Sequence, residues 1–386
     1  MTIASTETPD RALDTTSPYA QLMAHVRETS LLAGTSRILG WDQETMMPPG
    51  GLAYRSRQLA QMARMIHDRT TDPRVGDWLA ACEGDASLTD DSTSMSAVNL
   101  REIRRDYDIA TSLPADLVEQ LARTTSMAKA DWAEARRSSG FDTFRPALEQ
   151  ILTLTRRKAE HLLPIAQRHA GDDAQLELWD ALADHYEPGC TAAQVAQVFT
   201  PLRARLIELL GRIESDGAPP GDAFNERSLP IDAQRRFVRF VTERIGFDYR
   251  RGRLDDSTHP FCSGSHRHDI RMKSRYHEAL MGDAVGSGMH EAGHGIYNQN
   301  LPADHIDEPC GQFVSLGIHE SQSRMWENQV GRSRPFWTWC QPRLSDFFGD
   351  ALHDLSADDT YRSINKVERS LTRVEPHEET NKLHIM

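Results

Sequence analysis

Hydrophobic positions recur with helical spacing along almost the whole chain. Apolar residues three and four positions apart predict helices over 19–33, 53–67, 94–110, 114–137, 143–169, 191–215 and 232–245. The stretch 191–215 opens with Thr191 and Gln194 in the spacing of a capping box. Because alternating strand patterns are scarce, the pattern predicts an all-α protein with at most a small β element.

Turn-forming residues interrupt this helical pattern at two places. The segments 41–51 and 217–221 each contain two prolines and at least two glycines, and both are expected to be loops. Residues 1–17 are rich in Thr, Ser, Asp and Pro, which predicts a disordered N-terminal arm. The remainder, 18–386, contains no convincing linker and is expected to form one helical domain.

Composition narrows the class of protein. The 44 Lys and Arg residues against 57 Asp and Glu give a net charge of −13, which argues against nucleic acid as a partner. No apolar run approaches the ~18 residues of a membrane span, and residues 1–17 lack the apolar stretch of a secretory signal. The five cysteines are scattered and form no C-x-x-C pair, as expected for free thiols. These features predict a cytoplasmic protein without membrane contact.

The segment His290-Glu291-Ala292-Gly293-His294 carries the candidate chemistry. Residues four apart share one face of a helix, so both imidazoles can reach one metal ion. Residues 284–300 have apolar positions that fit such a helix, although four glycines oppose it. We expect these small residues to let a neighbouring backbone or a substrate come close. Glu291 would then lie beside the metal as a general base, the arrangement of zinc peptidases.

A catalytic zinc site usually has a third protein ligand. Glu320, 26 residues after His294, is the preferred candidate because 312–330 is predicted to be a second helix that can fold back on the first. Other nearby groups remain open as alternatives: His319, Asp304, Glu308 and Glu327.

With these residues in place, the chain resembles the carboxypeptidase Taq family of zinc metallocarboxypeptidases. Several ordered elements carry the resemblance: W-D-Q-E-T at 41–45, H-P-F at 259–261, D-x-R at 269–271, H-E-x-x-H at 290–294, H-E-S at 319–321 and part of R-x-x-A-D at 373–377. The resemblance implies a long helical fold around a deep substrate groove, usually in a homodimer. It also implies zinc, for which Co²⁺ can substitute, bound by His290, His294 and Glu320 with Glu291 as base.

The resemblance further implies release of C-terminal residues from peptides with broad specificity. Such an enzyme must bind a terminal carboxylate, which a guanidinium does bidentately. Arg373 is the leading candidate because it matches the late family element, and Arg271 and Arg275 are alternatives. His259 is a candidate substrate-binding residue, and His319 can orient the metal site through a hydrogen bond. Tyr276 and Tyr297 are possible donors to the developing oxyanion, whereas Trp41 and Asp42 are expected to be structural.

Three features depart from the family pattern. Lys273 replaces a threonine, and Pro376-His377 replaces Ala-Asp. The chain also ends at Met386, where family members continue for several helices, so the domain is expected to be C-terminally incomplete. We therefore expect an exposed apolar patch, a tendency to associate and impaired activity.

Two alternative functions stay open. One is an inactive homologue that binds zinc without turnover, and the other is a helical zinc oligopeptidase that cuts internally. The sequence leaves residue preference, oligomeric state and the physiological substrate undetermined.

Overall fold

Helices dominate the computed structural model, which describes residues 16–170, 175–215, 221–257 and 260–367. These ranges contain fourteen α-helices and a three-stranded sheet. The helices are α1 Pro18–Thr45, α2 Leu52–Thr70, α3 Pro73–Glu83, α4 Ala86–Thr89, α5 Met95–Ser112, α6 Ala115–Ser138, α7 Phe141–Ala170, α8 Leu178–Ala183, α9 Ala192–Ser215, α10 Ile231–Arg244, α11 Met281–Gln299, α12 Leu316–Arg324, α13 Arg334–Phe348 and α14 Ala357–Ile364. The helical fold class predicted from the sequence is confirmed.

Local capping signals set two of the helix starts. The Ser17 hydroxyl accepts a hydrogen bond from the Ala20 N–H at 3.2 Å, so α1 begins next to the predicted boundary at residue 18. Most of the predicted arm, residues 1–15, lies outside the described residues. At α9, the Thr191 N–H donates to Gln194 Oε1 and the Gln194 N–H donates to Thr191 Oγ1, at 2.9 and 3.3 Å. The predicted capping box is therefore confirmed.

The predicted break at 41–51 is wrong over its first half. α1 continues through Thr45, and the chain turns only after that residue. Tertiary contacts explain the difference, because Trp41 is buried and the guanidinium groups of Arg253 and Arg271 lie over its ring. Packing of this kind commonly outweighs local turn propensity.

The largest hydrophobic core lies where α10, α11, α13 and α14 meet. Phe237, Val285, Trp337 and Ile364 are among its buried members. Their contacts hold α11, the helix with the H-E-x-x-H segment, against three other helices. α13 and α14 were not predicted from the sequence, although each begins at a serine cap.

The three strands are β1 Gly252–Asp256, β2 Phe261–His266 and β3 Asp269–Ser274. β3 lies in the middle, parallel to β1 and antiparallel to β2. Alternate residues of a strand point to opposite faces, and here the two faces serve different helices. Ile270 and Met272 pack with Ala292 of α11, whereas Arg271 and Lys273 face α1. The sheet therefore joins the N-terminal helix to the helix that carries the site.

α9 exposes apolar side chains along its length and contains no buried residue. Five of its large hydrophobic residues are 36–62% exposed: Val198, Leu202, Ile207, Leu209 and Ile213. The exposed apolar patch expected from the sequence stays a prediction, since these exposures are those of single side chains. No helix in the described part of the chain combines the length and apolarity that a membrane span requires.

Candidate metallopeptidase site

α11 presents the two histidines of the H-E-x-x-H segment on one face. The rings of His290 and His294 lie 4.9 Å apart between centroids, as expected for residues separated by one helical turn. Their side chains are 18% and 12% exposed, so both lie at the edge of the core. His290 and His294 therefore share one face of α11, as predicted.

A close approach between α11 and α12 brings a carboxylate to these rings. A Cβ at Gly293 would lie 2.6 Å from the backbone of Gln322 and Ser323, so only glycine allows this approach. Glu320 Oε1 lies 3.7 Å from His290 Nε2, and Glu320 Oε2 lies 3.3 Å from His294 Nε2. The ligand atoms of the three residues all lie within 4.8 Å of one another. The sequence-predicted set of His290, His294 and Glu320 is thus brought together.

A second glutamate fixes the first imidazole. α12 is followed directly by a π-helical turn, Met325–Val330, which contains Glu327. The His290 Nδ1–H donates to Glu327 Oε2 at 2.7 Å, and Arg324 Nη1 donates to the same oxygen at 3.1 Å. This bond leaves His290 Nε2 directed at Glu320, where it can offer a lone pair to a metal ion once it is deprotonated.

A third histidine fixes the second imidazole. His319 Nε2 lies 2.9 Å from Asn298 Oδ1, which only accepts, so the proton of a neutral His319 is on Nε2. Burial, together with the charge of His294, lowers the pKa of His319 to about 4, which favours that neutral form. His319 Nδ1 then accepts from His294 Nδ1–H at 2.5 Å, and His294 Nε2 remains directed at Glu320. His319 thus acts on His294, whereas the sequence placed it only beside Glu320.

Glu291 lies under the histidine pair and has almost no exposed surface. It is 4% exposed, and its Oε2 has no hydrogen-bond partner in the described structure. The pKa of Glu291 is raised to about 8, chiefly by burial; His290 and Lys273 oppose the rise, and Glu320 and Glu327 add to it. A carboxyl group with a pKa near neutrality can both accept and release a proton during a reaction.

The pKa values of two ligand candidates are shifted in opposite directions. Burial opposes ionisation of Glu320, but the hydrogen bond to His294 and the charges around it lower its pKa to about 2. Burial also opposes protonation of His290, yet the hydrogen bond to Glu327 and three nearby carboxylates raise its pKa. Glu320 is 43% exposed, so a substrate can reach the site from solvent.

The other metal-ligand candidates lie elsewhere. Glu308 belongs to a separate cluster with His305 and Cys310. Glu327 bonds the far nitrogen of His290, and Asp304 is in neither group of candidate ligands.

The structure gives less support to the predicted substrate-binding residues than to the predicted metal ligands. His259 and Arg373 lie outside the described residues. Arg271 donates two hydrogen bonds to Asp269, at 2.9 and 3.0 Å, and its guanidinium lies 4.3 Å from the Trp41 ring centroid. Arg275 is paired with Asp283. Both arginines described here therefore already have anionic partners.

Sequence reasoning missed two orienting contacts. Glu327 was considered only as a rival ligand, although it follows Glu320 by seven positions and so lies two helical turns along the same face. Asn298 was not considered, yet it follows His294 by four positions. The helical spacing that identified the histidine pair could have found both.

Two imidazole nitrogens, a carboxylate and a buried glutamate define a candidate metallopeptidase site. The sequence model of the carboxypeptidase Taq (M32) metallopeptidase family matches residues 21–386. The chain therefore belongs to this family and is a metallocarboxypeptidase that acts on peptides. Family membership also implies a divalent metal cofactor.

Similar proteins agree with this assignment. Thermostable carboxypeptidase 1 of Thermus thermophilus is 42% identical over 95% of this chain and 72% of its own length. Carboxypeptidase 1 of Bacillus subtilis is 30% identical over 90% of this chain and 67% of its own. The crystal structure of the M32 carboxypeptidase from Deinococcus radiodurans matches with a TM-score of 0.82 and 35% identity. That match covers 95% of this chain and 71% of the other.

Proposed function

We propose that the protein releases C-terminal residues from peptides at a metal held by His290, His294 and Glu320, with Glu291 as general base. One observation carries the assignment of residues. The Nδ1 atom of each imidazole is occupied by an orienting partner, so both Nε2 atoms face the Glu320 carboxylate. Metal binding requires neutral imidazoles, and once both Nε2 atoms are deprotonated their lone pairs lie beside the Glu320 carboxylate.

Zinc fits this donor set best. It prefers imidazole nitrogen and carboxylate oxygen, and its catalytic sites usually have three protein ligands. Co²⁺ has similar ligand preferences and is expected to substitute. When bound, zinc lowers the pKa of a water molecule and polarises a carbonyl group.

Glu291 has the position and environment of the proton carrier. It follows His290 directly on α11, and its buried Oε2 lacks a partner among the described residues. In the proposed reaction, Glu291 accepts a proton from the attacking water and donates it to the departing amine. The peptide bond to the last residue breaks, and a free amino acid and a shortened peptide leave.

The terminal carboxylate of the substrate requires a cation. Arg373 remains our leading candidate because it matches the family element, and His259 remains a candidate for substrate contact. Arg271 is a weaker candidate because Asp269 already engages its guanidinium. We also propose broad specificity for the residue that is released. We assign no charged residue of this protein to the recognition of its side chain.

A peptide series tests this function. The protein with zinc is incubated with a peptide and with its C-terminally amidated form, and the products are read by mass spectrometry. Stepwise loss from the free peptide alone supports the proposal. Internal fragments from both peptides favour an internally cutting oligopeptidase, and two intact peptides favour an inactive homologue. Glu291→Gln is the matched variant, and unchanged release by it would contradict the role of Glu291.

We further propose a cytoplasmic homodimer. The five cysteines form no disulfide, which fits a reducing compartment. The exposed apolar side chains of α9 are typical of an association surface. Light scattering across a concentration series tests the dimer, and a monomer at all concentrations would contradict it.

A further inference from the structure

The segment that leads into α12 carries large apolar side chains on the protein surface. Phe313, Val314 and Leu316 are 45%, 76% and 45% exposed, and we call these three residues the apolar rim. A single exposed apolar residue is ordinary, but a cluster within four positions is typical of a binding surface. This cluster directly precedes the helix of Glu320.

Two contacts place the apolar rim beside the proposed metal site. Leu316 begins α12 four positions before Glu320, so the two residues share one face of the helix. The Phe313 ring packs edge-on against His319 at 5.1 Å, and the His319 ring lies 4.5 Å from that of His294. Phe313 therefore lies within about 10 Å of a proposed ligand, a distance of about three extended peptide residues.

Hydrogen bonds hold the backbone of this segment in place. The Leu316 N–H donates to the carbonyl of Tyr186 at 3.0 Å, and the Gly317 N–H donates to the Glu187 carboxylate at 3.1 Å. A Cβ at Gly317 would lie 2.3 Å from that carboxylate, so a larger residue would displace the Glu187 side chain and break this hydrogen bond. Ser315 caps the first turn of α12. Because the segment is already ordered, binding a ligand costs little conformational entropy.

We propose that the apolar rim binds a large apolar side chain of the substrate residue next to the cleaved peptide bond. The inference rests on the proposed function, since it takes the His290, His294 and Glu320 cluster as the reaction centre. None of the three rim residues carries a charge. Their contribution to binding is therefore to remove the apolar surface of the substrate side chain, and their own, from water. The favoured substrates are peptides with Leu, Phe or a similar residue beside the cleaved bond.

Binding to a variant that does not turn over provides the test. Zinc-loaded Glu291→Gln protein is titrated with labelled peptides that differ only by Leu or Ser at one of the last two positions. At one of the two positions, fluorescence anisotropy should show that the Leu peptide binds about tenfold more tightly than the Ser peptide. This is the effect expected from partly burying one Leu side chain. Adding Leu316→Ser should reduce this ratio to about twofold or less.

Ile318→Ser is the matched control. Ile318 is 44% exposed and lies on the same helix, but it is two positions from Glu320 and therefore on another face. The control should keep the Leu-to-Ser ratio, as should Leu316→Met, which preserves apolar surface. Three results would each overturn the proposal. The Glu291→Gln protein could bind the Leu and Ser peptides equally or bind neither. Leu316→Ser could keep the Leu-to-Ser ratio, or Ile318→Ser could lose it to the same extent.

The proposed function has a separate readout. Release of C-terminal residues by the wild-type protein is measured on the Ser peptide, which does not use the rim. If release is absent while the binding ratio holds, the proposed function fails, and the rim is kept only as a surface that binds an apolar peptide side chain. If release occurs but no ratio is found, the rim proposal fails alone.

Discussion

Two groups of three candidate ligands occupy the described part of the chain, and in each the ligand atoms lie within 4.8 Å of one another. His290, His294 and Glu320 form the first cluster, and His305, Glu308 and Cys310 form the second. In the first, neighbouring groups bond the far nitrogens of the histidines and leave three donor atoms facing each other. In the second, neighbouring groups bond the carboxylate itself.

The difference is clearest at the two buried glutamates. Glu308 is 5% exposed, and its carboxylate accepts hydrogen bonds from Arg27, Asn99 and His305. Burial alone would raise its pKa, but these bonds lower it. Glu291 is equally buried, and burial raises its pKa because its Oε2 has no hydrogen-bond donor among the described residues to offset the cost of the charge. We therefore expect the first cluster to bind the metal ion and the second not to, because the carboxylate of the second already has its hydrogen-bond donors.

The largest expected difference is in zinc content when one histidine is removed from each cluster in turn. His294→Ala should reduce zinc from about one ion per chain to almost none after dialysis, because two protein ligands remain where three are usual. His305→Ala should keep about one ion, since Arg27 and Asn99 already satisfy the second cluster. Elemental analysis measures both. Loss of zinc in His305→Ala with retention in His294→Ala would reverse the assignment of the two clusters.

The buried charge of Glu291 should make the metal-free protein less stable as pH rises. Between its ordinary pKa of 4.5 and about 8, folded Glu291 holds a proton that the unfolded chain releases. The free energy of unfolding therefore falls through this window, by roughly 3–5 kcal/mol in total for this group. Glu291→Gln should lack this loss, so its stability relative to wild type should rise from pH 5 to pH 8.

Urea denaturation at both pH values, with a chelator present, measures the difference. His290, Glu320, Glu327 and Lys273 also surround Glu291, but they are common to both proteins and largely cancel in the comparison. A pH-independent difference would show that Glu291 is ionised in the folded protein at neutral pH.

Helical periodicity was enough to predict α2, α5 to α7 and α9 to α11, because their apolar positions repeat at short range. It also predicted the shared face of His290 and His294. It could not predict that α1 continues through Trp41, since this depends on arginines more than 200 positions later in the chain. Likewise, the spacing left Glu308 and Glu320 as rivals, because only the fold places Arg27 beside one of them.

The orienting role of Glu327 predicts a smaller effect than loss of a ligand. Glu327→Gln keeps the shape but weakens the charge-assisted bond to His290 Nδ1, which fixes the direction of Nε2. We expect zinc affinity to fall about 10- to 100-fold, as measured by competition with a chromophoric chelator. Glu208→Gln, an exposed glutamate on α9, is the control and should bind as wild type. Equal zinc affinity of the two variants would show that zinc binding by His290 does not depend on Glu327.

Arg27 should stabilise the second cluster without affecting the first. Its guanidinium is 53% exposed while Glu308 is 6% exposed, so solvent already screens one partner of the pair. Arg27→Met leaves Asn99 and His305 bonded to Glu308, and we expect a loss of about 1–2 kcal/mol in the free energy of unfolding. Arg64→Met, which removes ion pairs with Asp68 and Glu119 that are exposed on both sides, should cost less than about 0.5 kcal/mol. Denaturant titration of the zinc-loaded proteins measures both, and zinc content should stay at about one ion per chain. If Arg27→Met is no less stable than Arg64→Met, compensation of Glu308 does not depend on Arg27, and the contrast between the two clusters must rest on Asn99 and His305 alone.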